Sequence, residues 1–279
     1  ERYPGISSWE SLEHIGPLTH TVADAALALS VMAGPTPRDR FSLPDEIGQW
    51  VVRPAETLRH VRIAYSHDLG FAVVDPEVRA MTESAALQLA QMLGCSVEIA
   101  HPDVGNYAAA FEILVAMDTD RKGLRRMADE QGVVLDGWLA SLLSRDWSAE
   151  AFTDALFERK RIVNTTWRFM EKFDFLITPA TACAAFGLDI PGPDRIDGRA
   201  VDAGSAWIAF SALGNLTGAP AASVPVGLTR DGRPVGMQIM GRHLDDLGVL
   251  ALSAAVESLF SPCWPPEVGN ALSIGQQRS

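Results

Sequence analysis

Asn215–Gly241 reads NLTGAPAASVPVGLTRDGRPVGMQIMG. Two apolar runs rich in β-branched residues, Ala221–Val226 and Val235–Met240, flank the segment Thr229-Arg230-Asp231-Gly232-Arg233-Pro234. An Asp-Gly pair between two such runs predicts adjacent strands joined by a hairpin-like turn. The lead-in Asn215-Leu216-Thr217-Gly218 is unusual for a plain core element, because an asparagine placed there has backbone groups to satisfy.

Outward from this block, alternation of helices and short apolar strands predicts an α/β protein. Its sheet is expected to be mixed but largely parallel, and flanked by helices. Thr21–Ala33 reads as a helix with Val22, Ala25, Ala26, Leu29 and Met32 on one face, Thr21 and Asp24 at its start, and Gly34-Pro35 at its end. Val61–Tyr65, the helix opened by Asp75-Pro76 and closed by Gly94, and Cys95–Ile99 form a strand–helix–strand unit, which predicts parallel strands. The stripe of that helix is Val78, Met81, Ala85, Leu89 and Met92. Ala108–Ser144 reads as helical pieces broken at Gly123, Gly132 and Gly137. Ser148 caps a long helix to about Lys172, with Phe152, Leu156, Val163, Trp167 and Met170 as its buried stripe. Phe173–Thr178 is a buried strand ended by Pro179, and residues 182–204 are a loop. Ala206–Leu216 is expected to be helical, and a last helix runs from about Asp245 to Leu259. Residues 261–279 form an extended tail. No linker divides the chain, so residues 1–279 read as one part of a single domain.

The 279 residues carry 35 acidic and 23 basic side chains, a net charge of −12. That balance excludes a nonspecific nucleic-acid binder, which needs cations to displace counterions, and disfavours docking on anionic lipid. No run approaches the ~18 consecutive apolar residues of a membrane span, and the first residues do not resemble a secretory leader. A cytoplasmic location is the expectation. The three cysteines, Cys95, Cys183 and Cys263, have neither metal-ligand nor disulfide-framework spacing and read as buried, inert thiols.

The search for chemistry returns little. Gly5-Ile6-Ser7-Ser8-Trp9 and Ala203-Gly204-Ser205-Ala206-Trp207 both fail the Gly-x-Ser-x-Gly elbow. The six histidines form no metal-binding pair, and no phosphate loop or dinucleotide fingerprint is present. Lys160, between Arg159 and Arg161 and next to Glu158, reads as part of a solvated helix face. Taken residue by residue, the chain shows a large α/β core with no convincing catalytic set.

Three segments nevertheless resemble the amidase signature family of serine hydrolases. Ser11–Gly34 matches at Ser11-Leu12, Gly16-Pro17, Thr19, Thr21-Val22 and Asp24-Ala25-Ala26, with Glu13 and His20 in place of the usual Asp and Arg. Phe173–Thr181 is similar to the family's Phe-Asp-x-Leu-x-Thr-Pro-Thr strand. Asn215–Gly241 resembles its Asn-x-x-Gly-x-Pro-Ala-x-Ser-Val-Pro block, with Gly16, Pro17, Asn215, Gly218, Pro220, Ser223, Pro225, Gly236 and Gln238 as signature positions of structural character. The resemblance implies hydrolysis of a small amide by a Ser–cis-Ser–Lys triad, with no metal or cofactor. The family's triad motifs precede the segment matching Ser11–Gly34, so no catalytic residue carries over. Ser7-Ser8 has the wrong neighbours and lies on the wrong side. The chain is therefore expected to be the C-terminal part of an amidase, inactive alone, completed by an N-terminal half or self-associating as a homo-oligomer. The alternatives are a dead structural subunit or the A-type component of an amidotransferase. The resemblance places Thr178, Pro179, Ala180 and Thr181, with Trp207 and Ile208, at the wall of the substrate pocket. Ala206–Leu213 lacks the acid that glutamine-specific members use, which suits an apolar or aryl amide. An exposed apolar sheet face is expected where the other half would pack.

Overall fold

Short-range signals set most helix ends in the computed structural model, which describes residues 11–37, 42–44, 49–135 and 137–260. Helix α1 (Val22–Met32) is capped by Thr21, whose Oγ1 accepts from the Asp24 N–H. Strand β1 (Ile63–Tyr65) leads to α2 (Pro76–Leu93). The Asp75 carboxylate accepts from the Glu77 and Val78 N–H groups, and Pro76 opens the helix, where a missing N–H costs nothing. Gly94 closes α2 at φ 68°, a left-handed conformation that suits glycine. Strand β2 (Val97–Ile99) follows, then α3 (Ala108–Met117), α4 (Arg121–Gln131), α5 (Gly137–Ser144) and α6 (Ala149–Met170). Strand β3 (Phe175–Pro179) is buried at every position. A small hairpin of β4 (Arg195–Ile196) and β5 (Arg199–Ala200) interrupts the loop after it. The 3₁₀ turn Ala206–Ile208 and α7 (Ala212–Thr217) precede β6 (Ala221–Leu228), β7 (Pro234–Gly241) and α8 (Asp246–Leu259).

The five main strands are ordered β2-β1-β3-β7-β6. The sheet is mixed, but not largely parallel as expected: β1 pairs in parallel with β2 and β3, while β7 is antiparallel to both β3 and β6. The cause is connection length. The α2 crossover returns the chain in the same direction, whereas the short Thr229–Arg233 turn can only reverse it. In that turn the Thr229 N–H donates to the Arg233 carbonyl and Arg233 bridges to Asp231. Helices α2 and α8 pack on one sheet face, against the row Ile177, Ile239 and Ala222. Helix α1 lies on α8 through a small separate cluster of Val22, Ala26 and Leu250, and the Val22 N–H donates to the Glu257 carboxylate.

Several local expectations are corrected. The break between α3 and α4 falls at Asp118–Asp120, and Gly123 lies within α4, where its N–H is capped by Asp120. Residues 206–216 are not one helix, since residues 209–211 interrupt them. Met32 and Met92, assigned to buried stripes, are exposed because α1 and α2 are each covered along a narrower face. The α6 stripe is rotated. Ala155, Ile162, Thr166 and Met170 face inward, while Leu156, Val163 and Trp167 are exposed, Trp167 by 60%. Small Ala155 lets α3 and α7 approach that side of the helix, and their packing fixes the inward face. Exposed apolar side chains sit on α6, on other helices and loops, and at Ile99 on the edge strand β2. The outward positions of β6 are Ala221, Ser223 and Pro225, all small or polar. Cys95 and Cys183 are half-buried rather than buried, and Cys263, Ser7-Ser8 and the 261–279 tail lie outside the described residues.

Candidate functional site

The hairpin register builds one polar row. Thr178 on β3, Gln238 on β7 and Ser223 on β6 lie opposite one another across three neighbouring strands. Alternation puts all three on one face, away from α2 and α8. Thr178 is 2% exposed and its hydroxyl donates to the Pro179 carbonyl. The Gln238 side-chain amide donates to Thr178 Oγ1 at 3.4 Å and to the Phe210 carbonyl at 3.2 Å. The row thus faces residues 206–211.

That segment has little regular structure of its own, so its carbonyls are satisfied from outside. The Ala182 N–H donates to the Trp207 carbonyl at 2.9 Å. The Tyr107 hydroxyl, from the turn before α3, donates to the Ala209 carbonyl at 2.6 Å. Gln238 takes the Phe210 carbonyl. Three elements distant in sequence hold one short stretch of wall. Burial pushes the Tyr107 phenol far above its ordinary range, so it remains a donor at any physiological pH.

The residues assigned to the wall fall into two groups. Thr178 and Pro179 are buried in β3. Ala180 and Thr181 are half-buried just beyond the strand. The Ala180 N–H donates to the Gly236 carbonyl, and the Thr181 hydroxyl to the Cys183 carbonyl. Trp207 meets Phe186 edge-on at 5.4 Å, with its indole N–H buried and unpartnered. Ile208 is exposed beside it. The Ala182–Trp207 hydrogen bond brings the two groups together.

Asn215 performs a different task. Its amide donates to the buried Leu12 carbonyl at 2.6 Å, tying α7 to the segment around Ser11. Gly218 ends α7 at φ 71° and its carbonyl faces His243 Nδ1 at 2.9 Å. Sequence reasoning missed Tyr107 and Arg159. Arg159 is half-buried and bonds Ser11 and Leu216, and Arg161 donates to the Asp103 and Val104 carbonyls, while Lys160 between them is exposed. Their partners lie far away in the chain, so no local pattern marks them.

Chemically, the wall offers apolar surface and backbone dipoles. The acid closest in sequence, Asp202, accepts from the Gly204 N–H and the Ser205 hydroxyl of its own loop. Among the described residues no three His, Cys, Asp or Glu side chains gather at metal-binding range. A groove of about 550 Å³ between α2 and the end of β6, lined by Pro76, Met81, Val226, Arg230 and Phe260, lies on the other side of the sheet. It is open to solvent and also lined by Glu77, Ser84 and Gln88 of α2.

A family model described as Amidase matches residues 2–250. The chain belongs to the amidase signature family. Among its amidase relatives, an acylamidase of Rhodococcus erythropolis is 32% identical over 259 residues, covering 88% of this chain and 52% of that protein. The A-type component of a glutamyl-tRNA(Gln) amidotransferase, from Acidobacterium capsulatum, is 29% identical, covering 92% of this chain and 58% of that one. The crystal structure of a bacterial aryl acylamidase of the amidase signature family superposes with a TM-score of 0.74 at 28% identity, covering 87% of this chain and 52% of that chain. The chain spans just over half the length of the relatives it matches. Among the described residues no helix is long and apolar enough to cross a membrane.

Proposed function

We propose that this chain forms the pocket-wall portion of a serine amidase that hydrolyses the C–N bond of a small apolar or aryl carboxylic amide. By this reading the nucleophilic serine, its serine partner and the lysine lie in sequence upstream of the Ser11 segment. The serine oxygen attacks the amide carbonyl, the amine leaves with a proton relayed from that serine, and water cleaves the resulting ester. The described residues contribute shape: the Thr178–Gln238 floor and the 206–211 segment present one side of the acyl or amine subsite.

The observation that carries the reading is the acid-free wall. Ala206–Leu213 reads AWIAFSAL, and Asp202 is already held by its own loop. A substrate ammonium placed here would stay unpaired, at a cost of several kcal/mol. The acylamidase relative, rather than the amidotransferase one, fits that chemistry.

The test is to purify the full-length gene product and assay an acyl anilide against L-glutamine. Release of the aryl amine with kcat/KM at least about 100-fold above that for glutamine supports the proposal, a ratio equal to the few kcal/mol of one unpaired charge. Preference for glutamine refutes the substrate class. Turnover of neither substrate refutes the amidase reading.

A further inference from the structure

We infer that Arg159 is a positioning residue: by gripping Ser11 it sets where the polypeptide upstream of Ser11 enters the fold. Its consequence for catalysis rests on the amidase reading above, in which that upstream polypeptide carries the nucleophile.

Arg159 projects from the inward side of α6, beside Ala155 and Ile162. Its hydrogen bonds go to two short segments. Nη1 donates to Ser11 Oγ at 2.8 Å and Nη2 to the Ser11 carbonyl at 2.5 Å. Nε donates to the Leu216 carbonyl, in the last turn of α7, at 2.9 Å. The planar fork therefore takes both acceptors of one residue at once and fixes orientation as well as distance, which a lysine ammonium cannot do.

A second tie acts on the next residue. Asn215 donates to the Leu12 carbonyl, and the Leu12 side chain is buried in the main core. Two consecutive carbonyls, Ser11 and Leu12, are thus held by side chains from α6 and α7. These are the first described residues of the chain, and the direction of the segment is set here.

The neighbouring Arg161 grips a different segment: it pairs with Glu158 at 2.6 Å and donates to the Asp103 and Val104 carbonyls, far from Ser11, which suits it as a control on the same helix. The Arg159 hydrogen bonds to Ser11 and Leu216 all go to neutral oxygens, and desolvation lowers its pKa, with the Asp118 carboxylate opposing. Half-burying a guanidinium against carbonyls is a weak route to stability. The arrangement gains a fixed geometry instead.

The experiment compares the full-length gene product with its Arg159→Lys variant, using Arg161→Lys as the control on the same helix. Hydrogen exchange of the peptide covering residues 11–18 should accelerate at least about tenfold in Arg159→Lys, corresponding to the loss of one charge-assisted hydrogen bond, and stay unchanged in Arg161→Lys. With an acyl anilide, kcat should fall about tenfold or more while KM changes less than about twofold, since the substrate wall is untouched. In Arg159→Ala, added guanidinium should restore part of the lost kcat. Unchanged exchange at residues 11–18 overturns the grip. Faster exchange everywhere, with a matching fall in Tm, assigns Arg159 to general stability and overturns positioning. Faster local exchange with unaltered kcat overturns the link to catalysis. If the wild-type protein turns over no amide, the amidase reading falls, and the exchange comparison alone decides whether Arg159 grips Ser11.

Discussion

Replacing Tyr107 by phenylalanine removes one oxygen and nothing else. The ring is 2% exposed and meets Phe71 edge-on at 5.1 Å, so its packing and apolar burial carry over to phenylalanine. What is lost is the 2.6 Å hydrogen bond to the Ala209 carbonyl. A neutral buried hydrogen bond contributes about 1 kcal/mol net, and a carbonyl left without a donor costs about 1–3 kcal/mol. Ala209 is only half-buried, so water can reach it in part, and the lower half of that range applies. We expect Tyr107→Phe to lose about 1–2 kcal/mol. Urea denaturation of the full-length protein measures this directly: the midpoint should fall with m unchanged, because the exposed surface is the same. The wall should loosen as well, raising KM for an acyl anilide more than it lowers kcat. A loss below about 0.5 kcal/mol, with KM unaltered, would refute the claim that Tyr107 holds the 206–211 segment, since surface changes scatter by that much.

Three further outcomes follow from the same structure. Asp174 is raised by partial burial, but the opposing bonds from Arg62 and attraction from Arg242 leave its pKa below the ordinary 3.8. Its stabilising contribution is present above 3.8 and is lost as pH falls through the lower folded value, so the stability gap between wild type and Asp174→Asn should close in acid; a gap that stays constant contradicts the ion pairs. Asp246, at the start of α8, is raised above 3.8 chiefly by burial, so its charged form burdens the fold at neutral pH. Burial outweighs the favourable helix dipole there; Asp246→Asn should raise Tm at pH 7 and lose that advantage as pH falls through the raised folded value toward 3.8, and a lower Tm at pH 7 would reverse the argument. At Gly241 a Cβ would stand 2.7 Å from Val249 Cγ2, so Gly241→Ala must push β7 off α8. It should cost about 1–3 kcal/mol by thermal or urea unfolding, and a neutral effect would show that the contact yields freely.

The features legible in the sequence were those with short-range causes. The Asp231-Gly232 turn joins β6 to β7, Thr21, Asp75 and Ser148 each cap the helix that follows, and the last helix begins next to Asp245 as expected. Parallel pairing of β1 with β2 followed from the length of the α2 crossover. The rotation of α6 was not legible. Leu156, Val163 and Trp167 have the right spacing for a core stripe, as do Ala155, Ile162 and Thr166 next to it. Which stripe turns inward is decided by α3 and α7, through contacts between distant parts of the chain. The same limit hid the site's supports. The signature residues Asn215, Gly218 and Gln238 lie within one readable block, but Tyr107 reaches Ala209 across 102 residues. Nothing local distinguishes Arg159 from Arg161.

The 148 residues that separate Ser11 from Arg159 also set a schedule. A ribosome adding about 5–20 residues per second needs roughly 7–30 s to make that stretch. Until α6 emerges Ser11 lacks its Arg159 partner, and until α7 follows Leu12 lacks Asn215. The segment at Ser11 and Leu12 must therefore wait through most of the synthesis of this chain, and its seat forms only when residues more than a hundred positions later arrive.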